Sequence, residues 1–177
     1  MTTPSLRFFV RGLLLAALFV ILLVPTAFAQ EKPPPRFGFG FNGMLSTVDG
    51  FGLGFRGRIA APINTDLSAA LDLGLTGFIL GGRDDATYVF DPQVSMIVTL
   101  PFRGNEAPYL LGGVGAYLAF EGDDSDENAD GGPTIHLGFG RVQQLNATTI
   151  FYEINPALIV GETAVDLVLP FRIGVIL

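Results

Sequence analysis

The last fourteen residues, Ala164 to Leu177, alternate strictly in polarity. Val165, Leu167, Leu169, Phe171, Ile173, Val175 and Leu177 form one wholly apolar series, and Asp166, Val168, Pro170, Arg172, Gly174 and Ile176 form a mixed one. Successive side chains of a strand point to opposite faces, so this stretch predicts a strand with one greasy face and one that tolerates charge. The same period of two recurs in seven earlier segments: 36–45, 51–61, 67–80, 86–102, 108–120, 133–143 and 149–160. In the first, Phe37, Phe39 and Phe41 alternate with Gly38, Gly40 and Asn42; in the third, Leu71, Leu73 and Leu75 alternate with Asp72, Gly74 and Thr76. In the fifth, Leu110, Val114, Ala116, Leu118 and Phe120 are expected opposite Tyr109, Gly113, Gly115 and Tyr117. Turn-forming stretches such as Pro62-Ile63-Asn64-Thr65-Asp66 separate the segments. Pro92, Pro156 and Pro170 fall inside them; each lacks an N–H for a ladder, which predicts bulges or strand ends there.

What lies outside the apolar faces decides the class. The segments are close to the ~9–11 residues a tilted strand needs to cross a bilayer. No helical period appears after residue 29, the segment count is even, and longer connections alternate with short turns, as in barrels that span outer membranes. A closed barrel also removes the exposed edges of an open sheet. Four charges sharpen the reading. Arg58 shortly precedes a turn, Asp72 follows the same turn by a similar span, Glu153 follows its own turn similarly, and Arg172 lies a similar distance before the C-terminus. Arg58, Asp72, Glu153 and Arg172 should therefore share one interior layer near the end that holds the termini, two cations against two anions. An apolar calyx would not favour such a set, whereas the lumen of a small outer-membrane barrel would accept it. The expected role of this quartet is structural. The predicted fold is all-β, an eight-stranded antiparallel up-and-down transmembrane β-barrel.

Composition changes this picture mainly at the start of the chain. Arg7 and Arg11, the apolar run from Gly12 to Val24 and the small-x-small triplet Ala27-Phe28-Ala29 read as an export signal over residues 1–29. A Pro-rich linker, 30–35, follows, and 36–177 is the barrel. Removing the two signal arginines takes the formal charge from −7 to −9, which argues against nucleic acid as a partner. There is no cysteine, hence no disulfide, thiolate metal site or lipoprotein anchor.

With signal peptide, alternation, turn rhythm and a terminal apolar strand in place, the chain resembles the small eight-stranded outer-membrane barrels of the OmpA-transmembrane-domain and OmpX type over 36–177. The resemblance implies residence in a bacterial outer membrane with both termini periplasmic. It also implies contact with outer-membrane lipid and lipopolysaccharide, insertion by the outer-membrane assembly machinery, and a monomer. The family pattern ends in an aromatic residue; this chain ends Val175-Ile176-Leu177 and departs from it.

Candidate chemistry is sparse. Residues 121–130 hold six carboxylates, and Asp124, Asp126, Asn128 and Asp130 have the early spacing of a calcium loop. Ala129 stands where the turn glycine belongs and Ile135 where the bidentate Glu belongs, so at most weak divalent binding is expected and no dedicated metal site. Asn146-Ala147-Thr148 matches a glycosylation sequon but falls in an expected periplasmic turn. His136, the only histidine, is expected as a polar residue near the outer rim. Catalysis would need a Ser or an acid beside it, and His136-Leu137-Gly138 supplies none in sequence. Neither catalytic residues nor a cofactor are expected. Gly38, Gly40, Gly52 and Gly54 thin one wall while Tyr109 and Tyr117 fill the space opposite, so the lumen should be packed rather than an open pore. The leading expectation is a non-enzymatic outer-membrane barrel with a structural or surface-interaction role. Two alternatives are a secreted lipocalin-like carrier, with inside and outside exchanged, and a lipid A-modifying enzyme.

Overall fold

The computed structural model describes residues 34–47, 49–78, 87–101, 104–121, 131–146, 148–161 and 165–177. The strands are β1 (Arg36–Ser46), β2 (Gly50–Pro62), β3 (Leu67–Phe78), β4 (Thr87–Thr99), β5 (Glu106–Glu121), β6 (Gly132–Leu145), β7 (Thr148–Ile154), β8 (Ala157–Val160) and β9 (Val165–Ile176). β1 to β7 pair antiparallel in sequence order, β8 pairs with β6 and β9, and β9 also pairs with β7 and returns to pair with β1, which closes the sheet. β7 and β8 are one stave: both lie between β6 and β9. The result is a closed eight-stranded up-and-down barrel.

The prolines interrupt bonding without shifting register. Ile154 pairs with Phe171, and Ala157 with Val168, so the Asn155-Pro156 gap adds no residue to either side. Pro92 likewise sits between the Phe90–Leu118 and Gln93–Gly115 pairs on one continuous register, and Pro170 lies within β9. Pro156 thus ends a strand segment, but no bulge forms at any of the three. A missing N–H costs one ladder bond; the bonds on either side hold the frame.

Faces follow the alternation. Leu71, Leu167 and Ile173 point outward and are 41–47% exposed, while Asp72 and Arg172 point inward at 0% and 4%. Phe37, Phe39, Phe41, Phe51 and Phe55 all stand on the outer surface of β1 and β2, and Phe39 and Phe55 stack with centroids 6.1 Å apart. Ala116 keeps an outward register but is buried, a lone methyl beside its partner Pro133. An outward ion pair, Arg141 with Glu106, sits on β6 and β5 near their turn-side ends.

The β2–β3, β4–β5 and β6–β7 turns share one end of the barrel with residues 36 and 177. The Asn64 side chain accepts from the N–H of Asp66 and of Leu67 at 2.9 and 2.8 Å, which makes the first of these turns. Asn146 takes φ 49° in the third, a left-handed conformation that Asn tolerates. At the opposite end an apolar cluster fills the lumen: Met44, Phe78, Val89, Tyr117, Ile159 and Val168, with Ala157. The Tyr117 hydroxyl donates to Asp49 at 2.6 Å and ties the β1–β2 turn to the cluster.

Inward glycines set how closely the staves can curve. A Cβ on Gly54 would overlap the β3 main chain at Leu75 and Thr76, whereas one on outward Gly57 would meet nothing. Gly54→Ala should therefore destabilise the barrel by about 1–3 kcal/mol, the cost of overpacking, and Gly57→Ala should be neutral or better. Urea unfolding in detergent micelles, followed by the gel shift between folded and boiled forms, tests the contrast.

Candidate functional site

The interior between the apolar cluster and the turn-side mouth is polar, and its centre is Glu153. Arg58 clamps it through both terminal guanidinium nitrogens, at 2.7 and 3.0 Å, and sends its Nε–H to Asp72 at 2.8 Å. Arg172, next to Glu153 across the β7–β9 pairing, donates to it at 2.5 Å. The Tyr109 hydroxyl donates to Glu153 at 2.8 Å. The predicted quartet of Arg58, Asp72, Glu153 and Arg172 is thus one connected network. Arg58 also lies over the Phe151 ring, 5.7 Å from its centroid.

Further ion pairing, by Arg56, extends the network beyond the expected quartet. Arg56 donates to Asp91 and stands 3.7 Å from Asp72. Three arginines and three carboxylates (Arg56, Arg58 and Arg172 against Asp72, Asp91 and Glu153) balance among the described residues of the lumen. Uncharged amides join them: Gln93 accepts from Arg172 at 3.1 Å, and Asn155 turns its amide oxygen to the same guanidinium at 2.9 Å.

The side chains meet by a repeated device. Arg56, Gly74 and Asp91 are register neighbours on β2, β3 and β4. The glycine has no side chain, so Arg56 and Asp91 join over it, and a Cβ there would strike both. Tyr109 reaches Glu153 over Gly140 in the same way. Asn42 donates to Thr76 at 2.9 Å over Gly54. Ser95 and His136 meet at 2.9 Å over Gly113.

That last couple corrects the expectation for His136. It is not at a rim; it is buried in the lumen at 3% exposure, and a serine does lie beside it. Ser95 is itself 1% exposed, and the His136 Nδ1 has no partner among the described residues, so no acid orients the ring. Asp124, Asp126, Asn128 and Asp130 lie outside the described residues, as do residues 1–29. No group of three or more metal-ligating side chains assembles among the described residues.

At the turn-side mouth the lumen opens into a cup of about 80 Å³, with Arg36 at its lip and Arg58 and Tyr109 at its inner end. Beyond them lie the Glu153 network and then the apolar cluster, so the described lumen is closed toward the other end.

No protein-family model matches the sequence, and no curated protein matches it. Solved structures do. The chain is similar to Neisserial surface protein A at 17% identity and TM-score 0.63, covering 81% of this chain and 94% of that one. It is similar to the N-terminal β-barrel domain of Pseudomonas aeruginosa OprF at 14% identity and TM-score 0.56, covering 83% and 100%. It is similar to Ail, the attachment invasion locus protein of Yersinia pestis, at 11% identity and TM-score 0.53, covering 81% and 97%. The fold is that of the small eight-stranded outer-membrane β-barrels.

Replacing Glu153 with Gln leaves Arg58 and Arg172 buried without their shared anion. Breaking a buried pair from one side costs about 3–5 kcal/mol, and the folded fraction in a urea titration should fall accordingly.

Proposed function

We propose that the protein is an integral barrel of a bacterial outer membrane, with a structural or surface-interaction role rather than an enzymatic or general-porin one. The observation that carries this is the apolar exterior of a closed barrel whose ion pairs, among the described residues, are all enclosed apart from Arg141 with Glu106. In water such an exterior would be an aggregation surface; in a bilayer it is solvated. The carrier alternative needs the opposite arrangement, an apolar interior and polar exterior, and the positions of Asp72 and Leu71 speak against it. The start of β1 and the end of β9 lie at the short-turn end, which in this reading faces the periplasm, and the longer connections face outward. Outer-membrane lipid and lipopolysaccharide are then the surroundings, the assembly machinery delivers a monomer, and the names of the Neisseria and Yersinia neighbours accord with a role at the surface.

Two features weigh against chemistry and transport. The Ser95–His136 couple is sealed from both lipid and solvent, so a substrate carbonyl has no path to it. The apolar cluster and the Glu153 network block the lumen in series, as expected where eight strands leave just enough room for side chains.

Membrane fractionation tests residence: the protein should stay with the outer membrane and need detergent, and release by osmotic shock would overturn the reading. Leu71→Arg, on the outer face, should cost about 2–4 kcal/mol in lipid vesicles if it lies near the bilayer midplane. Planar-bilayer recordings should show no sustained ionic current; steady channels would refute the blocked lumen.

A further inference from the structure

The cup at the turn-side mouth has a chemical bias that the rest of the lumen lacks. Every ion pair deeper in the barrel is matched, arginine for carboxylate. The cup is different: among the described residues its lining includes Arg36 and Arg58 but no Asp or Glu. Arg58 is already committed to Asp72 and Glu153 beneath it. Arg36 has no carboxylate partner among the described residues and is exposed at the lip. Ser68, Thr99 and Tyr109 add hydroxyls to the lining. A ligand that completes this surface carries negative charge and accepts hydrogen bonds. A volume of about 80 Å³ suits one tetrahedral or planar oxyanion with part of its hydration.

We propose that the cup is a weak oxyanion site, reached only from the end of the barrel that holds the β2–β3, β4–β5 and β6–β7 turns. The group it takes is a phosphate or a carboxylate, either free in solution or at the head of a short amphiphile whose tail lies along the apolar wall formed by Ile97, Val142 and Phe151. A lone exposed arginine at the lip, with Arg58 neutralised from below, implies weak binding, because one exposed ion pair adds only a small factor to affinity. The deeper network excludes the ion from the rest of the lumen, because a fourth anion there would have no cation left to meet.

The test is methyl and amide NMR of the full barrel in a non-ionic maltoside detergent, which brings no phosphate of its own. Inorganic phosphate, acetate and dihexanoyl phosphatidic acid are titrated separately, with sodium chloride at matched ionic strength as control. At least one oxyanion should shift the Ile97 and Ile176 methyls and the Thr99 amide saturably, while Ile159 in the apolar cluster stays put. Arg36→Gln should weaken binding roughly two- to fivefold, the range for one exposed ion pair, and Arg36→Lys should largely keep it. A response to the lipid but not to inorganic phosphate or acetate makes the source a head group; a response to the small ions makes it solution anions. Shifts that chloride reproduces, that Arg36→Gln leaves unchanged, or that are absent in every titration overturn the proposal. The boiled and unboiled gel mobilities of each variant confirm that the barrel under test is folded.

Discussion

Everything in this molecule depends on charge neutralisation inside a tube too narrow for bulk water. A barrel of eight strands has a lumen about as wide as its own side chains. Charges placed there cannot be left to solvent, and each unpaired one would cost several kcal/mol. Glu153 meets that constraint by accepting from Arg58, Arg172 and Tyr109 at once. Arg58 in turn joins β2 to β7, and Arg172 joins β9 to β4 through Gln93. These crossings brace the tube from within.

Much of this was legible in the chain. Alternation assigned inward and outward faces, because a period of two leaves no ambiguity once one face is apolar throughout. Turn positions then placed Arg58 beside Asp72 and Glu153 beside Arg172, since each pair is directly cross-strand. The partners of Arg56 and His136 were not legible. Asp91 and Ser95 are each separated from them by an intervening strand, so no local spacing connects them. The signal that could have found them is an inward glycine on the middle strand, at the same register as a polar residue on each side. Using it requires the register first, which the connecting turns did not fix. The expectation of bulges or strand ends at the prolines holds at Pro156, where a strand segment ends, and not at Pro92 or Pro170, where the surrounding ladders carry the strand through in register.

The lumen is graded along its axis. Apolar packing by Met44, Phe78 and Val89 occupies one end, balanced charge the middle, and a cation-lined recess the other end. An exterior matched to lipid and a filled interior accord with the structural or surface-interaction role proposed above. Fold alone does not assign such work, and the residues that would meet an outside partner are those of the connecting loops.

The glycines over which polar couples join have a consequence for how this barrel can change through descent. Gly74 is compatible with Arg56 and Asp91 only while it stays a glycine. Any larger residue there demands that at least one of the flanking pair shorten in the same lineage. Related sequences should therefore vary at these positions in threes rather than in twos. A set of homologues would show glycine gained or lost in step with residues on both neighbouring strands, a correlation that ordinary pairwise coupling between adjacent staves would register only faintly.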